Sequence, residues 1–64
     1  MEIQEFNRFV GMNINDAKKE IPHPFFFFVV NENGRSIYRT YEYNSRRVCI
    51  WTSNDKITKI DSIN

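Results

Sequence analysis

HPFFFFVV, residues 23–30, is the stretch that decides how the rest of the chain is read. Side chains alternate across a β-strand, so Phe25, Phe27 and Val29 point one way and Phe26, Phe28 and Val30 the other. Four consecutive phenylalanines in a chain of 64 residues therefore ask for apolar cover on both faces of one strand. The run is also far too short to span a bilayer.

On its N-terminal side, GMNINDAKKEIPHP carries helix punctuation. Asn13 is placed to cap a helix, with Asp16 at the third helical position, where a carboxylate favours the free N–H groups of the first turn. Ile14, Ala17 and Ile21 form one apolar stripe, and Pro22 ends the helix. A helix of about two turns does not hold without packing, so it should lie on one face of the sheet. On the C-terminal side, Asn33-Gly34 supplies the positive φ angles of a tight hairpin turn. RSIYRTYEY alternates weakly as a further strand, NSRR makes a second turn, RVCIWT is another β-rich run, and KITKI with the tail DSIN gives a last short strand. The sequence thus predicts a single α+β domain over residues 1–64, with one short helix packed on a small mixed sheet of three or four strands.

One helix covers one face. The other face of the Phe strand is left for a second subunit, with Phe25, Phe26, Phe27, Phe28 and Trp51 as the candidate oligomer interface. The competing expectation is that Phe6 and Phe9 fold back and cover it. A domain of this size buries only about 60% of the surface its unfolded chain exposes and commonly depends on a staple, a metal or a partner. The single cysteine, Cys49, allows no internal disulfide, and with the single histidine, His23, it falls short of a structural zinc set. No metal and no cofactor are expected, and a homo-oligomer is.

Two longer-range motifs are similar to those of a known family. EFNRFVGMNINDAKKEI (residues 5–21) resembles the start of the potato inhibitor I family, which includes the barley chymotrypsin inhibitors and eglins: an aromatic, Val-Gly, then a helix bearing Ala-Lys-Lys. TYEYNSRRVCIW (residues 40–51) resembles the exit of its reactive loop, and ITKI its last strand. The resemblance implies a substrate-like loop that inhibits serine proteases. Tyr41 would then fill the primary specificity pocket, with Thr40 before it and Glu42 after the scissile bond. It also implies that Arg47 braces Thr40 and Glu42 by charge-assisted hydrogen bonds. Two positions differ from the family pattern. Cys49 stands where a second bracing arginine is found, and NENGRSIYRT reads as a paired hairpin, which could not also thread an active site.

Net charge is +1, but Arg35, Arg39, Arg46 and Arg47 crowd the middle of the chain against only Glu32 and Glu42. If residues 35–43 are one strand, Arg35, Arg39, Tyr41 and Tyr43 share a face. Guanidinium groups grip phosphate and tyrosine rings stack on bases. Arg35, Arg39, Tyr41, Tyr43, Arg46 and Arg47 are thus candidate ligands for a small anion, above all a cyclic nucleotide, in a pocket built between subunits. The function this predicts is sequestration of a nucleotide signal by a viral-type sponge; the Asn-, Ile-, Lys- and Phe-rich composition suits an A/T-rich viral gene. The alternative is serine protease inhibition around Tyr41-Glu42.

Enzymatic activity is not expected, since no nucleophile and base are paired around His23 or Cys49. Cys49 reads as a small buried strand residue. Four arginines neutralise too few phosphates for tight binding to long nucleic acid. MEIQEFNRF lacks the pattern of a signal peptide, which places the protein in a cytoplasm, the host's if the gene is viral.

Overall fold

The computed structural model describes residues 3–37 and 42–64. The predicted helix is present as α1, Ile14–Glu20, and its start and stop follow from local chemistry. The Asn13 side chain accepts a hydrogen bond from the Asn15 N–H at 2.8 Å, satisfying one of the donors that a helix start leaves free. Asp16 in the first turn and Lys18 and Lys19 in the last complement the helix dipole. The Ile21 N–H still reaches the Ala17 carbonyl at 2.9 Å, but Ile21 is itself extended. Pro22 then prevents a further turn.

A 3-10 helix, Ile3–Phe9, precedes α1 and was not foreseen from the sequence. In a 3-10 helix residues i and i+3 eclipse, which brings Phe6 and Phe9 out on one side. Both are buried, at 0% and 1% exposure. Phe6 meets the Phe25 ring edge-on at 5.2 Å, and Phe9 meets Phe27 in the same way at 5.4 Å.

Four strands follow: β1, Phe26–Glu32; β2, Arg35–Ser36; β3, Arg47–Ser53; and β4, Lys56–Ile63. Their spatial order is β2-β1-β3-β4. β1 runs parallel to β3, while the β1–β2 and β3–β4 pairs are antiparallel, so the sheet is mixed. Asn33 and Gly34, both at positive φ, make the tight turn between β1 and β2 as predicted. The β3–β4 turn uses the same geometry without glycine, through Asn54 and Asp55 at positive φ. The two turns are tied together: the Asn33 N–H donates to the Thr52 carbonyl at 2.8 Å, and the Asn33 side chain accepts from the Asn54 N–H at 2.9 Å.

One expectation about the strands fails. RSIYRTYEY does not form one long strand, because β2 is two residues long and residues 37 and 42–44 belong to no strand. Just past β2, the Ile37 N–H still donates to the Val30 carbonyl at 2.9 Å.

The core lies on one face of the sheet. Phe6, Phe9, Ala17, Val48, Ile50, Ile57 and Ile60 are buried there, with Ile14, Ile21, Phe25, Phe27 and Val29 packed around them. The helix stripe and the odd-numbered face of the Phe run thus meet as expected. Phe6 and Phe9 do fold back, but onto the same face as α1, so Phe26 on the opposite face stays 42% exposed. Among the described residues no helix is long and apolar enough to cross a membrane.

Candidate functional site

The parallel pairing of β1 and β3 forces the connection between them to return from one end of the sheet to the other. The described residues of this connection are 37 and 42–46. Its far end is fixed by short-range bonds: the Asn44 side chain accepts from the Arg46 N–H at 2.9 Å, and the Asn44 carbonyl accepts from the Arg47 N–H at 3.1 Å. An Asn that turns the chain back on itself in this way is a common loop device. The Arg46 carbonyl then accepts from the Phe26 N–H at 3.0 Å, docking the connection against the start of β1.

Arg47, the first residue of β3, carries the densest set of contacts at this end. It is 9% exposed. Its guanidinium donates through Nη2 to the Glu42 main-chain oxygen at 2.6 Å, and through Nε and Nη2 to the Asn64 main-chain oxygen at 3.2 and 2.6 Å. Asn64 returns the contact, its N–H donating to the Arg47 carbonyl at 3.1 Å. The guanidinium carbon also lies 5.4 Å from the centre of the Phe28 ring, within cation–π range. A buried cation with this many acceptors is a structural brace, and what it holds is the backbone of the connecting segment.

Cys49 stands on the same face as Arg47, two residues further along β3, and is fully buried. Its thiol approaches the Asn64 side-chain oxygen at 3.5 Å, and the Ser62 hydroxyl donates to that same oxygen at 3.2 Å. A small polar cluster around Asn64 thus fills the place beside the brace. Farther along, Lys59 lies over the Trp51 ring at 4.7 Å.

The other predicted site residues are dispersed. Arg35 is exposed on β2, where it lines an open depression of about 410 Å³ with Glu32, Asn33 and Ile37. Arg46 is exposed in the turn before β3, and Tyr43 is 75% exposed. Arg39, Thr40 and Tyr41 lie outside the described residues. Arg35 pairs with Glu32 and Arg47 with Phe26, so the two arginines stand at opposite ends of β1, roughly 20 Å apart at about 3.3 Å per residue. Of the four residues expected to share a strand face, Arg35 is in β2 and Tyr43 belongs to no strand, while Arg39 and Tyr41 lie outside the described residues.

Of the predicted interface residues, Phe25 and Phe27 belong to the core side and are committed to Phe6 and Phe9. Phe26, Phe28 and Trp51 are on the opposite side. Among the described residues no group of His, Cys, Asp or Glu could hold a metal ion.

Asn64 is the contributor that sequence reasoning did not identify, and Phe28, expected at an oligomer interface, lies beside the Arg47 guanidinium. Asn64 lies 17 positions from Arg47 in the chain, and only the β3–β4 register brings them together. No known protein family matches the chain, and neither does any curated protein or solved structure.

Proposed function

We propose that this chain is a non-enzymatic inhibitor of a serine protease, presenting Thr40, Tyr41 and Glu42 to the enzyme as a substrate-like segment. The observation that carries this reading is the bond from Arg47 to the Glu42 main-chain oxygen. A loop that enters an active site as a substrate inhibits only if it stays in one shape after binding, because ordering a floppy segment on the enzyme weakens the complex. In this reading Glu42 follows the scissile bond. A buried guanidinium that holds its carbonyl keeps the leaving half of the segment in place, so the cut ends stay together and rejoin. A helix packed on a small mixed sheet is the coarse α+β class that the potato inhibitor I resemblance also calls for, and this supports the reading.

Titration of subtilisin and chymotrypsin tests it. Stoichiometric protein should abolish activity and Tyr41→Gly should restore it; absence of inhibition by micromolar protein ends this reading.

A second reading, sequestration of a cyclic nucleotide by an oligomeric sponge in a cytoplasm, is favoured by the exposed Arg35 beside an open depression and by the exposed Phe26. Since Arg35 and Arg47 are far apart in one chain and the Arg47 guanidinium is already engaged, such a site would be assembled from Arg35, Arg39 and Arg46 of more than one copy. Light scattering should then give a mass above that of the monomer. A thermal shift with a cyclic nucleotide should disappear in Arg35→Ala, and a monomer without any shift removes this reading.

A further inference from the structure

We infer that two β-bulges in β4, at Thr58 and Asp61, guard the outer side of that strand against the addition of a further strand. The register with β3 runs Thr52 to Ile57, Trp51 to Lys59, Ile50 to Ile60, Cys49 to Ser62 and Val48 to Ile63, which makes Thr58 and Asp61 the inserted residues. Isoleucine recurs at every third position of this strand. In a regular strand Ile60 would face away from Ile57 and Ile63, yet Ile57 and Ile60 are buried in the core and Ile63 packs against it. Each bulge resets the alternation by one residue. Without Thr58 and Asp61, the series Ile57, Lys59, Ile60, Ser62, Ile63 would alternate between the two faces and meet the same β3 residues one to one. Neither the register nor the core needs the inserted residues.

Hydrogen bonding tells which atoms the edge presents. The Arg47 carbonyl accepts from Asn64 on the β4 side, while the Arg46 and Thr52 carbonyls turn toward β1 and accept from Phe26 and Asn33. By the alternation of an antiparallel pair, the residues opposite Val48, Ile50 and Thr52 then turn their N–H and C=O groups away from β3. These are Ile63, Ile60 and Ile57. Ile57 agrees, since its N–H donates to the Met12 carbonyl at 2.9 Å and its carbonyl accepts from the Gly11 N–H at 2.7 Å. Among the described residues, no main-chain bond from another segment reaches the outward groups of Ile60 and Ile63.

Such a row is a template for another chain. An incoming straight strand carries one residue between successive bonding positions, whereas β4 carries two at each bulge, which bends the strand and tightens its twist. The opposite edge is blunted by a different means, because β2 is two residues long. Extension of the sheet is thereby closed as a route to assembly, under either functional reading.

The test compares the wild type with a variant lacking both Thr58 and Asp61, and with Thr58→Ala/Asp61→Ala, which changes both side chains and keeps the chain length. In the wild type the Ile60 and Ile63 amides should exchange with water on the order of a hundredfold faster than the Ile50 amide at the sheet centre. The double deletion should keep the circular dichroism of the wild type, at least double its mass by light scattering, and slow the Ile60 and Ile63 amides by about tenfold or more. The double alanine variant should match the wild type in mass and exchange.

A folded double deletion whose Ile60 and Ile63 amides stay fast overturns the inference, whatever its mass. Slowing of the same amides in the double alanine variant also overturns it, because the protection would then come from the side chains. If the double deletion does not fold, the wild type decides alone: at near-millimolar concentration, fast Ile60 and Ile63 amides support the guard and slow ones overturn it. A wild-type oligomer with both amides fast keeps the guard and puts the contact on another surface, so the oligomer reading is judged separately.

Discussion

The two faces of β1 are built from nearly identical residues and do different things. On one face, Phe25 and Phe27 meet Phe6 and Phe9 ring to ring and close the core. On the other, Phe28 lies beside a guanidinium and Phe26 is 42% exposed. The chemistry of a phenylalanine does not decide which of these it becomes. What decides is the neighbour: on one side the buried rings Phe6 and Phe9 of the 3-10 helix, and on the other the first residue of a parallel strand, which is arginine.

The largest effect should come from the closed face. Phe9→Ala removes a fully buried ring and should cost about 3–5 kcal/mol, a large fraction of the stability of so small a domain. Chemical denaturation would read this as a midpoint shifted far down or as a protein unfolded at room temperature. A loss below about 1 kcal/mol would mean that the N-terminal 3-10 helix is not part of the core.

Arg47→Met keeps a long apolar stem but removes the donors to Glu42 and Asn64, and should cost about 1.5–3 kcal/mol. Unlike Phe9→Ala, it should also release residues 42–44, seen as faster proteolytic nicking there at a temperature where the core remains protected. Equal loosening of both regions would erase the distinction between the faces. Asn13→Ala, which removes the α1 cap, should cost about 1 kcal/mol and leave the brace untouched. Phe26→Ser, on the open face, should change stability by no more than about 0.5 kcal/mol. Should it instead lower the mass seen by light scattering, the open face would be an assembly surface.

Much of this architecture was legible because it rests on local chemistry. Asn13 and Pro22 bracket α1, Asn33-Gly34 makes a hairpin, and the β-branched run after Arg46 is a strand. Each of these signals acts within a few residues. The 3-10 helix was harder to see, since Ile3–Phe9 has no cap and little amphipathic length, and only the spacing of Phe6 and Phe9 hinted at it. Whether residues 35–43 pair as a strand or run as a loop was open in the sequence, because weak alternation in RSIYRTYEY looks the same whether or not a partner strand is present; β2 is Arg35–Ser36.

The site was half legible for a similar reason. The role of Arg47 toward Glu42 followed from a resemblance of nearby residues, and the bond is present. The contacts of Arg47 with Phe28 and Asn64 depend on strand order, which the sequence does not display. Arg35 and Arg47 are close along the chain but stand at opposite ends of β1 within one chain. A parallel crossover sends the two to opposite ends of a strand.

That crossover also bears on how freely the segment could be exchanged. Bringing β1 to β3 closes the chain on itself across residues 33–46, and the entropy lost in closing such a loop grows only with the logarithm of its length, about 0.6 kcal/mol for each doubling. Against the several kcal/mol held by one core phenylalanine, this is a small charge for new sequence. Residues 37–41 could therefore be replaced by other peptides, or lengthened, with the Glu42 carbonyl and Arg47 kept as the anchor. The same fold would then display a different segment from an unchanged base.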